Sequence, residues 1–150
     1  MNTEERNGFL MNIRYFDNAA TTRIKEEVLE EMFPYLSLEY GNPSSIYGLG
    51  RRSKKAIETA RGRVASLLNC KPSEITFTSC GSESDNMALK GMAMLQKSKG
   101  TGKNHIITSK IEHPAILNSC HSLEKLGFKI TYLDVDKEGF VNLDTLINSI

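Results

Sequence analysis

The chain has 150 residues, 39% of them apolar and 25% charged, a length and balance that suit one soluble globular domain with a buried core. Against 19 basic residues stand 18 acidic ones, and the net charge of +1 offers no field to attract nucleic acid or an anionic membrane. No apolar stretch approaches a membrane span, and the polar start, Met1-Asn2-Thr3-Glu4-Glu5-Arg6-Asn7-Gly8, lacks the apolar core of a signal peptide. Cys70, Cys80 and Cys120 are odd in number and lack CxxC spacing, which reads as reduced thiols in a cytoplasmic protein.

After the polar leader, Ile13-Arg14-Tyr15-Phe16 is a short apolar segment that stops at Asp17-Asn18-Ala19-Ala20-Thr21-Thr22. Thr22 is placed to cap a helix in which Ile24, Val28, Met32 and Leu36 recur at every fourth position and form one apolar face. Gly41-Asn42-Pro43-Ser44-Ser45 breaks that pattern, because Gly and Pro punctuate the chain and Asn and Ser make local turns. The spacing of Ile57, Ala60, Val64 and Leu67 predicts a second helix over about residues 51–68. Residues 74–79, rich in β-branched and aromatic side chains, read as a strand. A third helix is expected to begin near Ser82 and run through Met87, Leu89 and Leu95, with a flexible turn over residues 97–103. Residues 105–108 read as a second strand, 114–126 as a fourth helix closed by Gly127, and 129–133 as a third strand. Residues 141–150 look like the opening of a further helix.

Strand, helix, strand, helix, strand implies an α/β fold with a parallel sheet and right-handed crossovers, and ligands in such sheets sit outside the carboxyl ends of the strands. Three strands closing on part of a helix look unfinished, since a sheet needs its edges paired or covered, so the fold is expected to be incomplete. Two strand-to-helix junctions qualify as sites. At the first, Ser79-Cys80-Gly81-Ser82 opens a helix. Free backbone N–H groups, the helix dipole, a glycine that lets an anion approach and the Ser82 hydroxyl together make a phosphate seat. Ser82-Glu83-Ser84-Asp85 also fits a capping box, in which Ser82 does no more than cap its own helix. No Walker lysine and no GxGxxG pattern accompanies the junction, so the common nucleotide readings fail. At the second, His113 stands directly before Pro114 at a helix start, where imidazole can stack on a flat ring or move a proton, or can serve as a solvated cap. His105, His113 and His121 recur at intervals of eight, but no carboxylate or thiolate completes a metal set, and no metal is expected.

Three blocks in order resemble the cysteine desulfurases of the NifS/IscS type, which belong to the class V aminotransferase group and to fold type I of the pyridoxal-phosphate (PLP) enzymes. Tyr15-Phe16-Asp17-Asn18-Ala19-Ala20-Thr21-Thr22 is similar to the family opening Y-L-D-N-A-A-T-T. Gly41-Asn42-Pro43-Ser44-Ser45 is followed by Gly48 or Gly50, then by Ala60-Arg61 and Val64-Ala65. The stretch from Ile75 through Gly91 resembles I-x-F-T-S-G-A/G-T-E-S-x-N-x-A-L-K-G, and the segments at Ile106, His113 and Tyr132 fall in family order. The sequence departs from the pattern at Cys80, where many relatives have glycine, at Ser82, where most have threonine, and at Tyr47, where histidine is usual.

The resemblance implies a three-layer α/β/α large domain with a mainly parallel sheet, of which this chain is the N-terminal part. Residues 1–20 would be an arm and entrance loop, and 21–150 the start of the PLP-binding domain. It implies that Gly81 and Ser82 bind the cofactor phosphate, that His113 stacks on the pyridine ring and shuttles protons, and that Asn18, Ala19, Ala20 and Thr21 lie near the substrate entrance. The implied activity converts L-cysteine to L-alanine and passes the sulfur, as an enzyme persulfide, to an iron–sulfur scaffold of the NifU/IscU kind. The enzyme would be a cytoplasmic homodimer. The family's Schiff-base lysine, in a Ser-x-His-Lys motif, and its nucleophilic cysteine find no match here, so these 150 residues alone are expected to be inactive. Another class V enzyme, such as an aminotransferase or selenocysteine lyase, shares fold and cofactor. A non-catalytic remnant or a simple phosphate-binding module remains a reading of the residues.

Overall fold

The computed structural model describes residues 14–150, and these divide into two compact units within Met1–Ile75 and Thr76–Ile150. In the first unit, Asp17 closes a turn by accepting the Ala20 and Thr21 amides at 3.1 and 3.5 Å. Helix α1 follows at Glu26–Ser37, with Lys25 at its N-cap and no side-chain cap. The expected Thr22 cap is therefore wrong. Glu26 and Glu27 in the first turn supply negative charge against the helix dipole instead. The apolar stripe along α1 exists but stays open, since no residue of the helix is buried.

Helix α2, Gly48–Leu67, begins about a turn earlier than its apolar spacing suggests. The reason lies in the turn before it. The Asn42 carbonyl accepts the Ser45 amide at 2.9 Å and its side chain accepts the Ser44 amide at 2.9 Å, folding residues 42–45 back onto the helix start. The approach is so close that a Cβ on Gly50 would sit 2.5 Å from the Asn42 carbonyl oxygen, and one on Gly41 2.5 Å from the Leu49 backbone. Glycine at both positions is thus a packing requirement. This changes which face is covered. Gly50, Ser53 and Ala65 are buried, whereas Leu67, expected on the inner face, is 86% exposed. Asn69, at a φ of 52°, ends the helix, and the Cys70 amide returns to the Ala65 carbonyl at 3.0 Å.

A short 3-10 turn at Pro72–Glu74 stands at the start of the expected 74–79 strand. Ile75 is extended, with φ of −93° and ψ of 127°, but no neighbouring strand pairs with it. That expectation is corrected: the backbone is strand-like, but among the described residues it has no ladder to join.

The second unit carries the parallel pair. Helix α3, Gly81–Ser98, leads to β1, His105–Ser109; helix α4, Pro114–Glu124, leads to β2, Lys129–Leu133; and α5, Leu143–Ile147, follows. β1 and β2 pair in parallel from His105 opposite Lys129 to Ser109 opposite Leu133. Each helix ends as its chemistry dictates. Gly127, at a φ of 90°, lets the Gly127 and Phe128 amides reach the carbonyls of Glu124 and Leu123, a Schellman closure of α4. The Asn142 side chain caps α5 through the Thr145 amide at 2.9 Å, so this helix is shorter than the expected 141–150. Ala93 of α3, Leu123 of α4 and Phe128 form the core, with Leu89, Ile106 and Ile130 packed on them. That core fixes α3 and α4 side by side, which brings their first turns into register.

Candidate active site

The first turn of α3 is organised by Glu83. Its Oε2 accepts the Ser79 amide and the Ser79 hydroxyl, each at 2.6 Å, so the carboxylate folds back over the residue ahead of the N-cap. These bonds hold the Glu83 carboxyl below its ordinary range, the Ser79 hydroxyl first among the causes. The N-cap is Cys80, in extended conformation, and the first intrahelical bond runs from the Ser84 amide to its carbonyl at 3.2 Å. The amides of Gly81 and Ser82 therefore precede any intrahelical acceptor. Ser82 is not the cap, contrary to the capping-box reading, and its hydroxyl makes no hydrogen bond among the described residues. Apart from its chain neighbours and the backbone of its own helix turn, no described protein atom lies within 4 Å of where a Cβ on Gly81 would stand. Open space above a glycine, a free hydroxyl beside it and a positive helix end form a seat for an anion.

His113 caps α4. Its Nδ1 accepts the Ala115 amide at 3.1 Å, and Pro114 takes the first helical position, where a missing N–H costs nothing. With Nδ1 occupied as an acceptor, the neutral ring carries its proton on Nε2. The capping and chemical readings of His113 are thus compatible, since one nitrogen caps and the other makes no hydrogen bond among the described residues.

Ser82 and His113 line the same groove, a cavity of about 330 Å³ between α3 and α4, together with Asn86, Lys90 and Ser119. Lys90 makes no ion pair among the described residues and adds positive charge to the groove. The sequence reading passed over Asn86 and Ser119. Asn86 Nδ2 donates to the Ser82 carbonyl at 2.7 Å, and its Oδ1 lies 3.0 Å from the Ser119 hydroxyl. The signal was present: an asparagine four residues after Ser82 in a helix interior, where its propensity is poor.

The other singled-out residues lie elsewhere. Asn18, Ala19, Ala20 and Thr21 are exposed in the Asp17 turn of the first unit. His105 Nε2 is held 2.8 Å from the Thr131 hydroxyl, and the His121 ring packs against Tyr132 at 5.5 Å between centroids. Among the described residues no three His, Cys, Asp or Glu side chains could share a metal ion, and no helix is long and apolar enough to cross a membrane.

The family model for aminotransferase class-V matches residues 14–150. The chain belongs to the class V aminotransferase family. Class V enzymes depend on pyridoxal phosphate. The chain is 55% identical over 136 residues to a cysteine desulfurase IscS of Clostridium botulinum (strain Kyoto / Type A2), covering 91% of this chain and 34% of that protein. Two solved structures share the fold. A NifS-like protein superposes with a TM-score of 0.83 at 44% identity, over 91% of this chain and 36% of its own. SspA in complex with cysteine superposes with a TM-score of 0.83 at 40% identity, over 92% and 39%. The chain thus spans about a third of the length of the relatives it matches. The α/β architecture with a parallel pair is the part of this class V fold that these residues build. The unpartnered Ser82 hydroxyl and the clear space over Gly81 fit the phosphate of the family's cofactor.

Proposed function

We propose that the chain is the N-terminal part of a PLP-dependent cysteine desulfurase, which converts L-cysteine to L-alanine and hands on the sulfur through an enzyme persulfide. One observation carries the reading: the free Ser82 hydroxyl and the ring of His113 share a groove, in a chain so similar to IscS. In this reading residues 21–150 are part of the large cofactor domain, and residues 1–20 are an arm and entrance loop in which Asn18, Ala19, Ala20 and Thr21 lie near the substrate. Gly81 and Ser82 hold the cofactor phosphate through their amides and the Ser82 hydroxyl. His113 would stack on the ring of the bound cofactor and could hold or move a proton at Nε2, the nitrogen left free by the Ala115 cap. Bound there, pyridoxal phosphate supplies an electron sink for bonds at the α-carbon of an amino acid. The complete enzyme would work as a cytoplasmic homodimer and deliver sulfur to an iron–sulfur scaffold of the NifU/IscU kind.

The test is a titration of the complete protein with pyridoxal phosphate and, separately, with ATP, followed by an assay for alanine and sulfide from cysteine. The expected result is binding of pyridoxal phosphate alone and release of both products. Replacing Ser82 by Ala should weaken cofactor binding about tenfold, the worth of one charge-assisted hydrogen bond, while Ser82→Thr keeps it. Preference for ATP, or full affinity in Ser82→Ala, would overturn the assignment.

A further inference from the structure

A run of hydrogen bonds connects the first turn of α3 to the ring of His113. Asn86 Nδ2 donates to the Ser82 carbonyl at 2.7 Å. The Ser119 hydroxyl lies 3.0 Å from Asn86 Oδ1 and 2.7 Å from the Ala115 carbonyl, so its single proton serves two acceptors. The Ala115 amide then donates to His113 Nδ1 at 3.1 Å. Ser119 is 1% exposed and Asn86 is half-buried, so water replaces a lost partner here less readily than at the open surface. An apolar pair at positions 86 and 119 would pack α3 on α4 with better helix propensity. A polar pair instead favours one register of the two helices, because the Ser119–Asn86 bond is the one link of the run that crosses between them, and a slip breaks it.

We infer that Asn86 is a positioning residue, which through Ser119 and Ala115 sets the spacing between the anion seat at Gly81 and Ser82 and the imidazole of His113. This deepens the cofactor reading of the same groove and rests on it. Phosphate and aromatic ring belong to one stiff molecule, so seat and stacking ring must hold a fixed separation, and small misplacements at such sites are costly. A ligand that lacks the phosphate does not bridge the two and does not sense their spacing.

The test compares Asn86→Ala, Ser119→Ala and the double variant of the complete protein. The readouts are dissociation constants for pyridoxal phosphate and phosphate-free pyridoxal, the induced circular dichroism of the bound cofactor, and the thermal midpoint. Each single variant is expected to weaken pyridoxal phosphate about tenfold and to reduce the dichroism, with pyridoxal changed by less than about twofold. The double variant should bind no more weakly than the weaker single, because both break one connection. Equal losses for the two ligands, additive losses, or losses that only track the thermal midpoint would overturn the inference. If Asn86→Ala fails to fold, Asn86→Asp takes its place, since a carboxylate still accepts from Ser119 but cannot donate to Ser82. Wild-type protein that ignores pyridoxal phosphate would refute the function itself, whereas unaltered variants of a binding wild type refute only the positioning role.

Discussion

Cys80 and Ser82 flank Gly81 at one helix end, yet their side chains stand in different electrostatic positions. Cys80 is exposed, and its thiol is held below the ordinary cysteine value, chiefly by the backbone N–H of Glu83. Cys120 is buried and pushed the other way, first by desolvation and then by the charge of Glu124, while Cys70 is half-buried. A lowered pKa means that the thiolate of Cys80 is present at a lower pH than in a free cysteine, and the thiolate is the species that alkylates. Iodoacetamide should therefore label Cys80 first, with a rate that levels off at lower pH than for a model thiol. Pyridoxal phosphate or inorganic phosphate should slow it by occupying the adjacent amides. Peptide mapping of the labelled protein is the measurement, and equal labelling of Cys70 would defeat the claim. Residues such as Ser82 and His113 were readable because their chemistry is tied to identity and to a position at a helix start. Asn86 was legible only in its local half, the placement four residues after Ser82, since its partner Ser119 lies 33 positions further along the chain and only the packing of α3 on α4 brings them together.

At the scale of elements, the turn at residues 42–45 and the start of α2 stand or fall together. A methyl group on Gly50 would meet backbone carbonyl oxygens of Asn42 and Ser45 at 2.5 and 2.7 Å, atoms that cannot swing aside as a flexible side chain would. Gly50→Ala should cost about 1–3 kcal/mol, the usual range for overpacking, read as a lower denaturation midpoint. Gly62 is the control. It sits in the interior of the same helix, and beyond its neighbours and that helix's own backbone no described atom lies within 4 Å of its Cβ position, so Gly62→Ala should be stabilising by up to about 1 kcal/mol. Equal effects from the two substitutions would show that close approach is not what requires glycine at position 50. The glycine-rich block was visible in the sequence, although not which of Gly48 and Gly50 it needs; Gly48 has its nearest neighbour at 3.9 Å, so the requirement falls on Gly50. Helices were legible because their hydrogen bonds are local and their apolar period can be read along one segment. The segment at 74–79 shows the converse. Phe77 and its β-branched neighbours carry the composition of a strand, but a strand exists only where a second one pairs with it, and no local pattern supplies the partner.

For the whole molecule, the balance of buried and exposed apolar surface sets what the 150-residue polypeptide does by itself. Among the described residues the buried hydrophobic side chains are Ala65, Ala93, Cys120, Leu123, Phe128 and Leu133, several of them small. Large apolar side chains stand open in both units, among them Phe33 at 62% and Leu36 at 68% on α1 and Ile147 at 65% on α5. Domains of this length are held by a margin of only about 0.05–0.15 kcal/mol per residue, which depends on apolar burial outweighing chain entropy. With so many large side chains in water, that margin shrinks, and the open faces offer sites for dyes and for other apolar surfaces. The isolated polypeptide is expected to bind an apolar fluorescent dye such as ANS and to unfold over a broad denaturant range, with a slope below that of a well-buried domain of equal length. Replacing Leu36 and Phe33 together by Ser should lower dye binding while leaving the second unit's helical signal intact, because neither residue belongs to the Ala93, Leu123 and Phe128 core. A sharp, dye-free transition in the unmodified polypeptide would mean that these faces are covered in solution, and that the exposed stripe on α1 has found a partner within or between copies of the chain.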